Sequence, residues 1–244
     1  MKTAPPLRLS VCIPVYNEAS TIEQVVDRVR QIPLRTEIIA VDDASSDGSA
    51  AVLERLQSSG KVDRFVRHPE NRGKGAAIRT AIAHTTGDVV VIQDADLEYD
   101  PFDLPALLAP IADGKADAVY GSRFQGGPHR VLYYWHAVGN QFLTLMSNMF
   151  TNLNLTDMET CYKVVRTDLL KRLPLSANRF GFEVEVTARL AQAQARIWEL
   201  PISYSGRTYE EGKKITWRDG AAAFFHILHY NLFPPRGDWR LARR

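Results

Sequence analysis

Apolar and polar positions come in blocks along the first half of the chain. Residues 9–15 form a short, almost wholly apolar run containing Pro14, the pattern of a strand buried on both faces. Ile22, Val25, Val26 and Val29 then fall at helical spacing, and Ser20 with Glu23 makes a capping-box pair at the start of that helix. Residues 37–43 repeat the buried-strand pattern and end in two carboxylates. Asp47 is placed to cap a second helix with Val52, Leu53 and Leu56 on its apolar side. A weaker strand around Phe65-Val66 runs into the loop Asn71-Arg72-Gly73-Lys74-Gly75. A small-residue helix follows to about Thr86, where Gly87 stops it. Residues 88–93 are the next strand, ending at Asp94-Ala95-Asp96.

The second half is less regular. Pro105 suits the first turn of a helix running to about Ala112, and Ala118-Val119-Tyr120 is a short strand before Gly121-Ser122-Arg123. Residues 133–152 are helical with aromatic and Asn positions interleaved, and 162–165 read as a strand. Val184, Thr187, Ala188 and Ala191 share a helix face, 196–204 alternate as a strand does, and 206–214 are a polar loop. A final helix over 217–232 ends at Pro234-Pro235. Strand and helix in alternation predict an α/β fold with a mainly parallel sheet flanked by crossover helices.

Size and composition narrow the class. With 244 residues, no internal repeat and no low-complexity linker, one domain is the economical reading, and 234–244 is a short basic tail read as solvated. The balance of 30 basic and 28 acidic residues gives no general reason to expect nucleic acid as a partner. Cys12 and Cys161 cannot build a disulfide framework, which fits a reducing compartment. No signal-peptide pattern opens the chain. Its best apolar stretch, 221–233, includes His226, His229 and Asn231 and falls short of the roughly 18 residues of a spanning helix. The expected location is cytoplasmic, at most peripheral on the cytoplasmic face of a membrane.

The acids stand where ligands gather in open parallel sheets, outside the carboxyl ends of the strands. Glu18 follows the first strand, Asp42-Asp43 the second, and Asp94-Ala95-Asp96 a later one. Asp-x-Asp alone is also a common turn, and a structural turn is the competing reading. Three acidic strand ends form a pattern that suits diphosphate chemistry, because Mg²⁺ takes one or two carboxylates together with substrate phosphates. On an extended backbone Asp94 and Asp96 would point the same way, with Glu98 continuing the spacing. There is no Walker lysine motif, no dinucleotide fingerprint after the first strand and no zinc-ligand spacing among the six histidines. The loop 206–214 suits a flap that closes over phosphates, with a plain solvated loop as the alternative.

Four motifs carry a resemblance: Val11-Cys12-Ile13-Pro14-Val15-Tyr16-Asn17-Glu18, Val41-Asp42-Asp43-Ala44-Ser45-Ser46-Asp47-Gly48-Ser49, Asn71-Arg72-Gly73-Lys74-Gly75 and Asp94-Ala95-Asp96. In order and spacing the chain resembles family 2 glycosyltransferases of the GT-A fold. Within them it is most similar to the dolichyl- and polyprenyl-phosphate mannosyl- and glucosyltransferases. The resemblance implies a Rossmann-like GT-A domain over 8–233, a nucleoside diphosphate sugar such as GDP-mannose or UDP-glucose, Mg²⁺ or Mn²⁺, and inversion at the anomeric carbon. It implies that Pro14, Tyr16, Glu18 and Lys74 bind the donor, and that Asp43 bonds its base or ribose. Asp94 and Asp96 would hold metal and sugar-diphosphate, with Asp96 catalytic. Glu98 is a further metal candidate at a position where relatives often carry Gln. Arg207 and Lys213 would grip the donor phosphates.

The acceptor implied first is polyprenyl phosphate, with Arg123 facing its phosphate. Such a chain would reach the lipid through a peripheral surface, 131–155 or 217–233, or through a membrane partner protein. An acceptor hydroxyl is the alternative, with Asp157 as general base. A non-catalytic relative that binds nucleotide sugar is the third reading. Cys161 stands where the mannosyl-type motif commonly has glycine, which leaves the donor sugar open.

Overall fold

The Val- and Ile-rich runs of β1 (Arg8–Val15) and β2 (Arg35–Asp42) lie side by side and parallel, from Arg8 opposite Arg35 to Val15 opposite Asp42. A computed structural model describes residues 7–212, 217–237, 239 and 241 of the chain. Helices α1 (Ile22–Gln31), α2 (Ser49–Ser58) and α3 (Lys74–His84) carry the chain from β1 to β2, to β3 (Arg64–Arg67) and to β4 (Val89–Ile92). Helix α4 (Leu104–Ala112), β5 (Ala118–Ser122), α5 (Tyr134–Thr151), β6 (Lys163–Arg166), α6 (Thr167–Leu170), α7 (Phe182–Gln192), β7 (Ile197–Pro201) and α8 (Trp217–Leu232) complete it.

The seven strands are ordered β3-β2-β1-β4-β6-β5-β7, and β6 alone among them runs antiparallel to its neighbours. This is a single-domain α/β fold with a largely parallel sheet, as the alternating pattern predicts. The chain winds outward from β1 through β2 to β3 and then returns to place β4 on the other side of β1. Connections leave β1 and β4 in opposite directions, so a crevice opens at their carboxyl ends. Glu18 and the 94–98 acids therefore face one another across the switch point.

Local differences have tertiary causes. The capping box at Ser20 and Glu23 does not form: Thr21 precedes α1 without a side-chain cap, and the Glu23 carboxylate takes a two-pronged bond from Arg55 at 2.9 and 2.7 Å. The first turn closes instead on the Glu18 carbonyl, which accepts from the Thr21 and Ile22 amides. Asp47 does meet the start of α2, accepting from the Ser49 amide at 3.0 Å, and its second oxygen accepts from Ala19. Trp239 is buried and Leu241 packs against the core, so the segment after Pro235 is not wholly a solvated tail.

Glu37 ties the sheet together beneath the site. Its carboxylate accepts from the Ser10 hydroxyl, the Thr86 and Gly87 amides and the Thr86 hydroxyl, and Arg8 approaches to 3.2 Å. Burial opposes its charge, but these bonds hold its pKa below the usual glutamate value. Glu37→Ala strands several buried donors at once and is expected to cost about 2–4 kcal/mol. A urea titration checks this, and a loss below about 1 kcal/mol would contradict it.

Candidate active site

The loop after β1 is clasped by the loop after β2. Asn17, in the left-handed region at φ 54°, donates its amide to the Ser45 hydroxyl, and its side-chain oxygen accepts from the Ser46 amide. The Glu18 amide donates to the Ser49 hydroxyl at 3.0 Å. These bonds fix Glu18 at the mouth of the crevice, buried, beside half-buried Pro14 and exposed Tyr16.

Asp43 is enclosed by its own chain. Its carboxylate meets His68 Nδ1 at 2.7 Å and accepts from the Arg72 and Gly73 amides at 3.0 and 2.7 Å. It therefore shapes the 71–75 loop. Gly73 has φ 93°, and a Cβ there would fall 2.4 Å from the Asn178 carbonyl oxygen, so only glycine fits. That loop delivers Lys74, whose ammonium bridges Asp94 at 2.9 Å and Glu183 at 3.0 Å.

Beyond β4 the chain turns, with Leu97 at φ 65°, instead of staying extended. The turn sends the acids different ways. Asp94 goes to Lys74. Asp96 meets Arg207 at 3.1 Å and also accepts from the Glu98 amide. Glu98 accepts from the Arg207 amide at 2.9 Å and the Tyr204 hydroxyl at 2.8 Å, so it straps the 204–207 segment to the crevice. Arg207 lies 3.4 Å from Glu18 as well. Three carboxylates thus share one guanidinium. Burial opposes the Arg207 charge, and Asp96, Glu18 and Glu98 more than restore it. Burial, with Asp94 and Glu98 nearby, pushes the Asp96 carboxyl up to about 7.

The expectation that Asp94, Asp96 and Glu98 form one metal cluster is corrected by this arrangement. Among the described residues no three of His, Cys, Asp or Glu converge on a common metal position. The physical reason is the turn at Leu97, which sends Asp94 to Lys74, Asp96 to the Arg207 side chain, and Glu98 to the Tyr204 hydroxyl and the Arg207 amide. The Asp94 and Asp96 carboxylates still suit a hard divalent cation, which takes one or two carboxylates and completes its shell with phosphate oxygens. Excess negative charge at Asp96 favours such an ion.

On the other side of β4, Arg123 and Asp157 are locked together. Arg123 donates through Nε and Nη2 to the two Asp157 oxygens, each at 2.7 Å, and through its amide at 3.0 Å. Asp157 is 0% exposed, and Glu199 of β7 accepts its amide at 3.0 Å. Both oxygens of this enclosed carboxylate are taken by Arg123, so a base role for Asp157 would require that pair to open. The Arg123 guanidinium also lies over the rings of Tyr204 and Phe124, at 5.2 and 5.6 Å. Beside it a groove of about 390 Å³ runs between Phe124, Leu145, Asn148, Leu155 and Thr156.

The structure thus brings together Glu18, Asp96, Glu98 and Arg207, and separately Lys74 with Asp94 and Arg123 with Asp157. Lys213 lies outside the described residues. Sequence reasoning missed Glu183, Glu199 and Tyr204. A signal existed for Glu183, an acid set in the first turn of an otherwise apolar helix face.

Comparison with known proteins agrees with this geometry. The model of the family "Glycosyl transferase family 2" matches residues 10–173. The undecaprenyl-phosphate mannosyltransferase of Micrococcus luteus is 30% identical over 220 residues, 85% of this chain and 87% of its own. The polyprenol monophosphomannose synthase of Mycolicibacterium smegmatis is 28% identical, covering 83% of this chain and 79% of its own. Crystalline glucosyl-3-phosphoglycerate synthase of Mycobacterium tuberculosis, with Mn²⁺, UDP and glucosyl-3-phosphoglycerate, has a TM-score of 0.72 at 22% identity. That match covers 95% of this chain and 82% of that one. Another crystal of the synthase holds Mn²⁺, UDP-glucose and phosphoglyceric acid. At that identity the likeness is one of fold, and the fold is GT-A.

Proposed function

Because the chain belongs to glycosyl transferase family 2, we propose that it moves a hexose from a nucleoside diphosphate sugar to an acceptor seated beside Arg123, with Mg²⁺ or Mn²⁺ as cofactor. The observation that carries the reading is Arg207 held between Glu18, Asp96 and Glu98 at the switch point. Its planar fork suits the donor diphosphate, which would replace the carboxylates as its partner. Lys213, six residues on in sequence, would add a second cation. Pro14, Tyr16 and Asp43 border the nucleotide end, Asp43 by shaping the 71–75 loop. Asp96, with Asp94, would hold the divalent ion, which when bound neutralises charge on the departing diphosphate.

The acceptor favoured first is a hydroxyl on a small phosphate-bearing molecule. Its support is the structural likeness to a synthase crystallised with UDP-glucose and phosphoglyceric acid. Polyprenyl phosphate is the second reading, supported by the names of the sequence relatives and by one surface. Helix α5 carries no Asp, Glu, Lys or Arg, and exposes Tyr134, Trp135, Phe142, Leu145 and Met149 beside Phe225 of α8. Phe142 stacks on Phe224, joining the two helices into one apolar face open to a lipid surface. No helix of the described residues is long and apolar enough to cross a membrane.

Labelled UDP-glucose or GDP-mannose with Mn²⁺ separates the readings when phosphoglyceric acid and a short polyprenyl phosphate are offered in parallel. Label in a water-soluble anionic product is expected. Label entering the organic phase alone selects the second reading, and none in either overturns both. The matching donor should also raise the melting temperature, since binding at 100 times Kd adds about 2.7 kcal/mol.

A further inference from the structure

Arg123 comes from the segment that follows β5, and Asp157 meets it from the segment that precedes β6. Residues 123–125 and 155–157 are neither strand nor helix, so no ladder fixes their spacing. Side chains stitch them instead. The Ser122 and Thr156 hydroxyls lie 2.6 Å apart, and the Phe124 amide donates to the Ser122 hydroxyl at 3.1 Å. A third element then reaches both segments. Glu199 stands on the edge strand β7, opposite Tyr120 of β5. One of its carboxylate oxygens accepts from the Thr156 and Asp157 amides at 2.9 and 3.0 Å. The other accepts from the Gln125 side chain at 2.8 Å and shares the Thr156 amide.

We propose that Glu199 is a positioning residue for the acceptor: through Thr156, Asp157 and Gln125 it sets the groove and the Arg123 guanidinium beside it. The inference rests on the reading that the acceptor is seated beside Arg123, and it applies to a hydroxyl or a lipid phosphate alike. Thr156 borders the groove directly, and Gln125 follows Phe124, which borders it from the other side. Asp157 carries the constraint onward, since both its oxygens accept from the Arg123 side chain. Glu199 acts through these residues and is not a catalytic group.

The setting of Glu199 agrees with this. Among the described residues no cation pairs with it. Burial pushes its carboxyl above the usual glutamate value, while the Thr156 and Asp157 amides pull the other way. A half-buried carboxylate without a counter-cation is unfavourable unless its hydrogen bonds are made, and here they all go to the two acceptor-side segments. The donor residues are held by other bonds. Asp43 shapes the 71–75 loop, and Glu98 straps Tyr204 and Arg207. Loss of Glu199 should therefore be felt on the acceptor side alone.

The test is a series at position 199, assayed with UDP-glucose, Mn²⁺ and phosphoglyceric acid, or with a short polyprenyl phosphate if the wild type takes only that. Glu199→Asp keeps the charge but is one methylene shorter, so it does not reach both segments at once. It is expected to raise the acceptor KM about tenfold or more and to change kcat less than about threefold. Glu199→Ala should do the same. Glu199→Gln keeps the reach and an oxygen for the two amides, and exposed Gln125 can turn its own oxygen toward the new NH₂ group. Its acceptor KM should stay within about threefold of the wild type. In all three, UDP-glucose should raise the melting temperature as it does in the wild type, which separates positioning from a general loss of structure. A near-normal acceptor KM in Glu199→Asp, or loss of its donor shift, overturns the inference. So does a Glu199→Gln as impaired as Glu199→Asp, since charge and not reach would then be at work. Wild-type transfer to neither acceptor overturns the reading beneath it as well.

Discussion

Asp96→Asn is expected to lower turnover by about 10³-fold with the fold intact. The change removes one negative charge from the place where the donor diphosphate and its divalent ion would meet. Stability should move the other way at alkaline pH. The native Asp96 carboxyl is pushed up to about 7 by burial, Asp94 and Glu98, from an ordinary value of 3.8. A raised carboxyl binds its proton more tightly in the native state. The stability this adds is complete below about pH 4 and is lost as pH rises through about 7. At pH 8 the variant should therefore melt at or above the wild type, and this advantage should shrink toward pH 5. Mn²⁺ should stabilise the wild type more at pH 8 than at pH 5, and the variant little at either. Near-normal turnover, or an undiminished Mn²⁺ effect in the variant, would refute the assignment.

Arg123→Ala should be the most destabilising single change near the site. It leaves Asp157, 0% exposed, without the two Arg123 side-chain bonds that hold it. Only the backbone one survives. Removing one partner of a buried pair costs about 3–5 kcal/mol, because the other charge stays buried and uncompensated. For a chain of this length that corresponds to a fall of about 10 °C in melting temperature. The paired replacement Arg123→Met with Asp157→Leu should recover most of the loss, since no charge is then stranded. Thermal and urea unfolding check both, and an Arg123→Ala loss below about 1 kcal/mol would show that water reaches Asp157.

The strands and crossover helices were legible because their patterns are local. Apolar runs at 9–15 and 37–43 are short enough to read as buried strands in a covered parallel sheet, and helical spacing of Ile22, Val25, Val26 and Val29 admits one face. The capping box at Ser20 and Glu23 was equally local and did not form, because Arg55 of α2 offers Glu23 a stronger bidentate bond. The antiparallel course of β6 and the burial of Trp239 depend on pairings remote in sequence.

By itself the sequence determined the α/β class, the family and the acids at the strand ends, since strand pattern and motif spacing are properties of neighbouring residues. The tertiary structure decided which charges face one another. A turn at Leu97 parts Asp94 from Asp96. Arg207 returns from more than a hundred residues away to join Glu18, Asp96 and Glu98. Asp157 is paired and Glu159 is not, although they stand two residues apart. Charge pairing is set by distance through space, and no spacing along the chain encodes it.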